Sequence, residues 1–141
     1  MKLIYSRGHT ERFQVTQSKE SFDNIKGLFN ANTSELIEEM VAVYFDPAGY
    51  SIGWRRVSTG GIQGTVMDNR LIIAAALTCG ATSLIVAHNH PSGNTHPSDQ
   101  DLKLTYDLKL GARYLRLTLN DHLIIAGDLG SYCSLKDTGK I

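Results

Sequence analysis

Ser83-Leu84-Ile85-Val86-Ala87-His88-Asn89-His90-Pro91-Ser92-Gly93-Asn94-Thr95-His96-Pro97-Ser98-Asp99-Gln100-Asp101 joins a short apolar run to a helix start. Side chains two apart on a strand share a face, so His88 and His90, at the end of the strand over residues 83–87, can aim two imidazoles at one point. The two prolines, Gly93 and Asn94 then force a turn-rich loop. Ser98 opens a helix over residues 98–109, and Asp101 in its first turn can swing back toward the histidines. Two imidazole nitrogens and one carboxylate oxygen, at roughly 2.0–2.2 Å from the ion, make a zinc site with a fourth position left for water. A His-x-His pair alone is weak evidence. Ser98-x-x-Asp101 also resembles a capping box with Asp in place of the usual Glu or Gln. The two readings are compatible, because a carboxylate set by helix geometry is well held for metal binding.

Outward from this segment, helices and strands interleave. Residues 18–30 read as a helix capped by Ser18, with Phe22, Ile25, Leu28 and Phe29 at three- and four-residue steps. Residues 12–16 permit a short strand. Residues 40–45 form a buried-strand candidate, and Asp46-Pro47-Ala48-Gly49 turns it into a second strand over 50–57. Asp68 can cap a helix over 69–78, with Gly80 just past its end. Gly111 would stop the helix that Ser98 opens, and residues 114–119 and 123–126 read as two further strands. The expected architecture is α/β with a central mixed sheet.

The 141 residues suit one domain. Fourteen Lys and Arg offset fourteen Asp and Glu. This balance argues against a domain whose main task is gripping nucleic acid, since phosphate contacts need clustered cations. Cys79 and Cys133 can build neither a disulfide framework nor a four-thiolate zinc site, and a reduced cytoplasmic setting suits them. Residues 1–7 turn polar too soon for a signal peptide, and the apolar run over 71–77 is too short for a membrane span.

His88-x-His90-Pro91, the spacing to Ser98, and Ser98-x-x-Asp101 together resemble the JAMM (MPN-plus) metalloprotease motif. The surrounding HNHPSGN…PS…D is similar to the bacterial RadC-like branch in particular. So are Gly60-Gly61-x-x-Gly64-Thr65-Val66-x-Asp68-x-Arg70, Asp121-His122-Leu123-Ile124-Ile125 and Ser134-Leu135. The resemblance covers residues 35–137 and implies a RadC-like JAB/MPN domain over 35–141. Residues 1–34 would be a variable extension, a short strand and a helix packing on the core. It also implies a three-layer α/β/α sandwich like that of cytidine deaminases.

By the same resemblance His88, His90 and Asp101 are zinc ligands, and Ser98 steadies the attacking water and the tetrahedral intermediate. The family's upstream general base falls on Glu38 or Glu39; counting back from Asp46 favours Glu38, and a one-residue gap would select Glu39. The implied activity is zinc-dependent hydrolysis of an amide or isopeptide bond in a peptide or protein substrate. The alternatives are a non-catalytic MPN scaffold and a DNA-repair-associated accessory protein of the RadC type. The tripeptide His88-Asn89-His90 spells HNH, but nucleases of that name space those residues far apart. A zinc deaminase needs Pro-Cys-x-x-Cys, which is absent. His96 reads as a solvated loop residue, His122 as a turn or core-edge residue, Cys79 as a small buried hydrophobe, and Trp54 as a sheet aromatic beside a solvated basic pair.

Overall fold

The computed structural model describes residues 11–60 and 68–141. His9 and the Gly61-to-Val66 part of the glycine-rich resemblance lie outside the described residues. Chain order is α1 (Ser18–Ile25), a short 3-10 turn (Lys26–Leu28), β1 (Glu39–Phe45), β2 (Ser51–Thr59), α2 (Asn69–Thr78), β3 (Ser83–His90), α3 (Asp99–Tyr114), β4 (Thr118–Ala126) and β5 (Tyr132–Ser134).

The five strands form one mixed sheet in the order β2-β1-β3-β4-β5. Among the described residues, only β3 and β4 run parallel. Parallel neighbours need a long crossover, and α3 supplies it. β1 and β3 sit inside the sheet with both faces covered, which is why they read as nearly continuous apolar runs. Met40, Ala42, Tyr44, Leu84 and Val86 pack with Ile72 and Ala76 of α2 and Leu108 and Ala112 of α3. Val41, Val43, Phe45, Ile85 and Ala87 pack on the opposite face with Phe22 and Ile25 of α1. The chain is therefore α/β, with helices on both faces of a mixed sheet. No helix among the described residues is long and apolar enough to cross a membrane.

Several local expectations need correction. Gln17, not Ser18, occupies the α1 cap position. Ser18 begins the helix, and its hydroxyl pairs with the Tyr132 hydroxyl at 3.2 Å and donates to Asp137. The α-helix stops at Ile25 and tightens into the 3-10 turn. Residues 12–16 form only an isolated bridge, Gln14 to Tyr50. Asp68 does cap α2, accepting from the Arg70 amide at 3.0 Å.

Gly111 lies inside α3 rather than ending it. A Cβ there would stand 3.1 Å from Ile73 Cδ1, so the glycine serves the close approach of α2 and α3. Residues 118–126 are one strand, not two. Leu84 faces Leu119 and Ile85 faces Asp121, which leaves Asn120 as a bulge. A bulge keeps a strand going through residues that look like a turn.

Candidate metal centre

β1 and β3 pair antiparallel with Met40 opposite His88. That register puts His88 on the sheet face covered by α2 and α3, where its side chain is wholly buried. His90, one strand repeat further, is half-buried on the same face. The two Nε2 atoms stand 2.9 Å apart. From α3, Asp101 Oδ1 lies 3.2 Å from His88 Nε2 and Oδ2 lies 3.5 Å from His90 Nε2. One ligand atom from each of the three residues falls within 4.8 Å of the others. The structure thus brings together the three residues whose spacing first suggested a metal.

Asp101 is held from its own helix. Its Oδ2 accepts from Ser98 N at 2.7 Å and Ser98 Oγ at 2.6 Å, while its amide donates back to Ser98 Oγ at 3.1 Å. The capping box read in the sequence is present and aims the carboxylate at the histidines. Burial alone would push the Asp101 carboxyl up. Its contacts with His88, His90 and Ser98 outweigh it and hold the group far below the usual carboxylate range. The Asp101 carboxylate is also the main reason that His90 titrates above its ordinary value.

The donor chemistry fits a cation. His90 Nδ1 meets Asn94 O at 2.6 Å. A carbonyl only accepts, so Nδ1 carries the proton and the Nε2 of a neutral His90 offers a lone pair to the cluster. An anionic carboxylate and an imidazole lone pair facing a second imidazole nitrogen across 2.9 Å need something positive between them. A proton or a metal ion meets that need. Nitrogen and oxygen donors of this kind suit zinc.

Comparison with known proteins decides the family: residues 15–140 match the RadC-like JAB domain. The chain belongs to that family. It is 38% identical over 138 residues to a UPF0758 protein of Porphyromonas gingivalis, covering 98% of this chain and 59% of that protein. A UPF0758 protein of Flavobacterium johnsoniae is 34% identical over 126 residues, covering 89% and 53% respectively. One from Aquifex aeolicus is 31% identical over 133 residues, covering 94% and 55%. The chain spans little more than half the length of these curated relatives.

In this RadC-like domain the two glutamates part company: Glu38 precedes β1, and Glu39 is its first residue. Glu38 is half-buried, and its carbonyl accepts from Gly60 N at 2.8 Å. Its charge is one of those that raise the His90 pKa. It stands one residue ahead of β1, and continuing the strand's alternation backwards would assign it to the His88 face. Glu39 turns to the other face. It is 6% exposed, its Oε1 lies 3.4 Å from Arg56 Nε, and its Oε2 has no hydrogen-bond partner among the described residues.

Asn89, between the two histidines, points away from them and is fully buried. Its Oδ1 accepts from Glu39 N at 2.7 Å. Its Nδ2 donates to Ser34 O at 2.6 Å and Ile37 O at 2.9 Å. These bonds grip the chain on both sides of Glu38 and tie it to the histidine strand. Asn89→Ala leaves a buried amide and two carbonyls without partners, at about 1–3 kcal/mol for an unsatisfied group. We expect a total loss of about 3 kcal/mol in unfolding free energy, read from urea denaturation. On the far side, Gly127 abuts the turn after His90. A Cβ there would fall 2.7 Å from Pro91 O, so β4 ends hard against that turn.

His122 corrects the sequence reading. It is not a turn or edge residue but sits within β4, fully buried, with Nε2 at 2.8 Å from His88 Nδ1. Burial, above all, pushes its pKa well down, so it is neutral. His96 is exposed, and its amide donates to Asn94 Oδ1. Trp54 is exposed with the Arg56 guanidinium over its ring at 5.8 Å. Cys79 is half-buried, and burial raises its thiol pKa, away from a nucleophile's.

Proposed function

We propose that His88, His90 and Asp101 bind one zinc ion and that the domain hydrolyses an amide or isopeptide bond in a peptide or protein substrate. The observation that carries this reading is the convergence of two imidazole nitrogens and one carboxylate within 4.8 Å at the end of a strand. Zinc, when bound, acidifies water and polarises a carbonyl.

The chain's own groups would do the rest. Glu38 takes a proton from the attacking water and returns it to the leaving nitrogen. Its position on the His88 face and its influence on His90 support that role over Glu39, whose carboxylate is engaged with Arg56 on the other face. Ser98 Oγ donates to the developing oxyanion. Its proton now serves Asp101 Oδ2, but Ser98 N serves the same oxygen, so the hydroxyl can turn without stripping the carboxylate.

Purified protein analysed for metal at neutral pH should carry one zinc per chain. A chelator should remove it, and zinc at a hundred times its Kd should restore about 2.7 kcal/mol of stability. Cleavage of a fluorogenic isopeptide or peptide probe should follow the zinc content. An intact fold that takes up no zinc refutes the reading.

A further inference from the structure

Four residues form a chain that leads away from the cluster and back to it. His88 Nδ1 lies 2.8 Å from His122 Nε2. His122 Nδ1 lies 2.6 Å from Thr105 Oγ1, and Thr105 Oγ1 lies 2.5 Å from the carbonyl oxygen of Asp101. His88, Thr105 and His122 are all fully buried, so no bulk water competes for these bonds.

The direction of the chain is set at its far end. A carbonyl oxygen only accepts, so at that separation the single Thr105 hydroxyl proton belongs to Asp101 O. Thr105 Oγ1 must then accept from His122, which places the His122 proton on Nδ1. Its Nε2 is left as an acceptor and can only receive from His88 Nδ1. A neutral His88 with its proton on Nδ1 has a bare Nε2, the atom that faces His90 Nε2 and Asp101 Oδ1. Reversed, the same contacts would put a proton on His88 Nε2 and block it as a ligand.

We infer that Thr105 and His122 are positioning residues whose hydrogen bonds fix the His88 tautomer with Nε2 free to ligate; this rests on reading the cluster as a metal site. Three elements are coupled in this way. α3 supplies both Asp101 and the hydroxyl that orients the relay, β4 supplies His122, and β3 supplies the ligand. Partners of ligating histidines fix the ring and its tautomer, and their loss typically costs about 10–100-fold in metal affinity.

Ring nitrogen NMR on uniformly labelled, metal-free protein reads the tautomers directly. The expected spectrum shows both His88 and His122 protonated at Nδ1. Thr105→Val removes the hydroxyl and should give mixed His88 tautomers, with zinc binding weakened about 10–100-fold. Thr105→Ser keeps the hydroxyl and should restore both. A wild-type His88 with an unprotonated Nδ1 overturns the inference, as does a Thr105→Val variant with unchanged tautomers and unchanged zinc affinity. Should Thr105→Val fail to fold, the wild-type spectrum decides alone. A wild-type chain with the expected tautomers and no zinc uptake supports the relay and removes the hydrolase reading.

Discussion

Replacing Asp101 with alanine is expected to give a folded domain that no longer retains zinc. Asp101 is the only carboxylate in the three-residue cluster, and it meets both histidine nitrogens. A four-ligand structural zinc site is worth about 10–16 kcal/mol, so one ligand accounts for about 3–4 kcal/mol, or about 10²–10³-fold in affinity. The anion's share should be at the upper end, because without it two imidazoles face the cation with no charge to offset it. The fold should survive, since the lost capping interactions are worth about 1 kcal/mol. Asp101→Asn separates the two contributions: its amide oxygen can still accept from the Ser98 amide, yet it brings no charge. Metal analysis after dialysis against zinc, alongside thermal unfolding, checks both variants. Wild-type zinc content in Asp101→Ala would show that the carboxylate is a helix cap alone.

The ease of reading this site from sequence tracks how local its parts are. His88, His90, Ser98 and Asp101 sit within one strand, one loop and one helix start, so period-two alternation and cap spacing are enough to bring them together. Glu38 is fifty residues from His88, and its face depends on the pairing of Met40 with His88, which no local pattern encodes. His122 was harder still. Its role depends on the parallel register of β3 and β4 across the α3 crossover, and the Asn120 bulge shifts that register by one. The polar run Asn120-Asp121-His122 therefore imitates a turn. Asp121 is in fact buried, accepting from Ser134 Oγ at 2.7 Å and from the Lys136 amide at 3.1 Å, which anchors β5 and the segment after it. The apolar run Leu123-Ile124-Ile125 directly after His122 was the available signal. Gly111 misled for a related reason: a glycine near a helix end usually marks the stop, but here it makes room for Ile73 of α2.

Glu38→Gln should keep zinc and the fold while losing most hydrolysis. The substitution preserves shape and hydrogen-bonding reach but removes the ability to take a proton, and general-base catalysis contributes about 10²–10⁴-fold. As a half-buried group outside the core clusters, Glu38 should change stability by no more than about 0.5 kcal/mol when neutralised. Glu39→Gln is the contrasting variant. It relaxes a buried carboxylate whose Oε2 has no hydrogen-bond partner among the described residues and weakens its contact with Arg56. Its effect should fall on stability, with turnover per bound zinc within about threefold of wild type, because strand alternation sends the side chain to the face opposite His88. Rates on one isopeptide probe, divided by zinc content, separate the two. A dead Glu39→Gln beside an active Glu38→Gln would mean that the residue acting on the water reaches it from the α1 face. That outcome cannot be reconciled with Met40 lying opposite His88, and it would require the β1–β3 register to differ in the working protein.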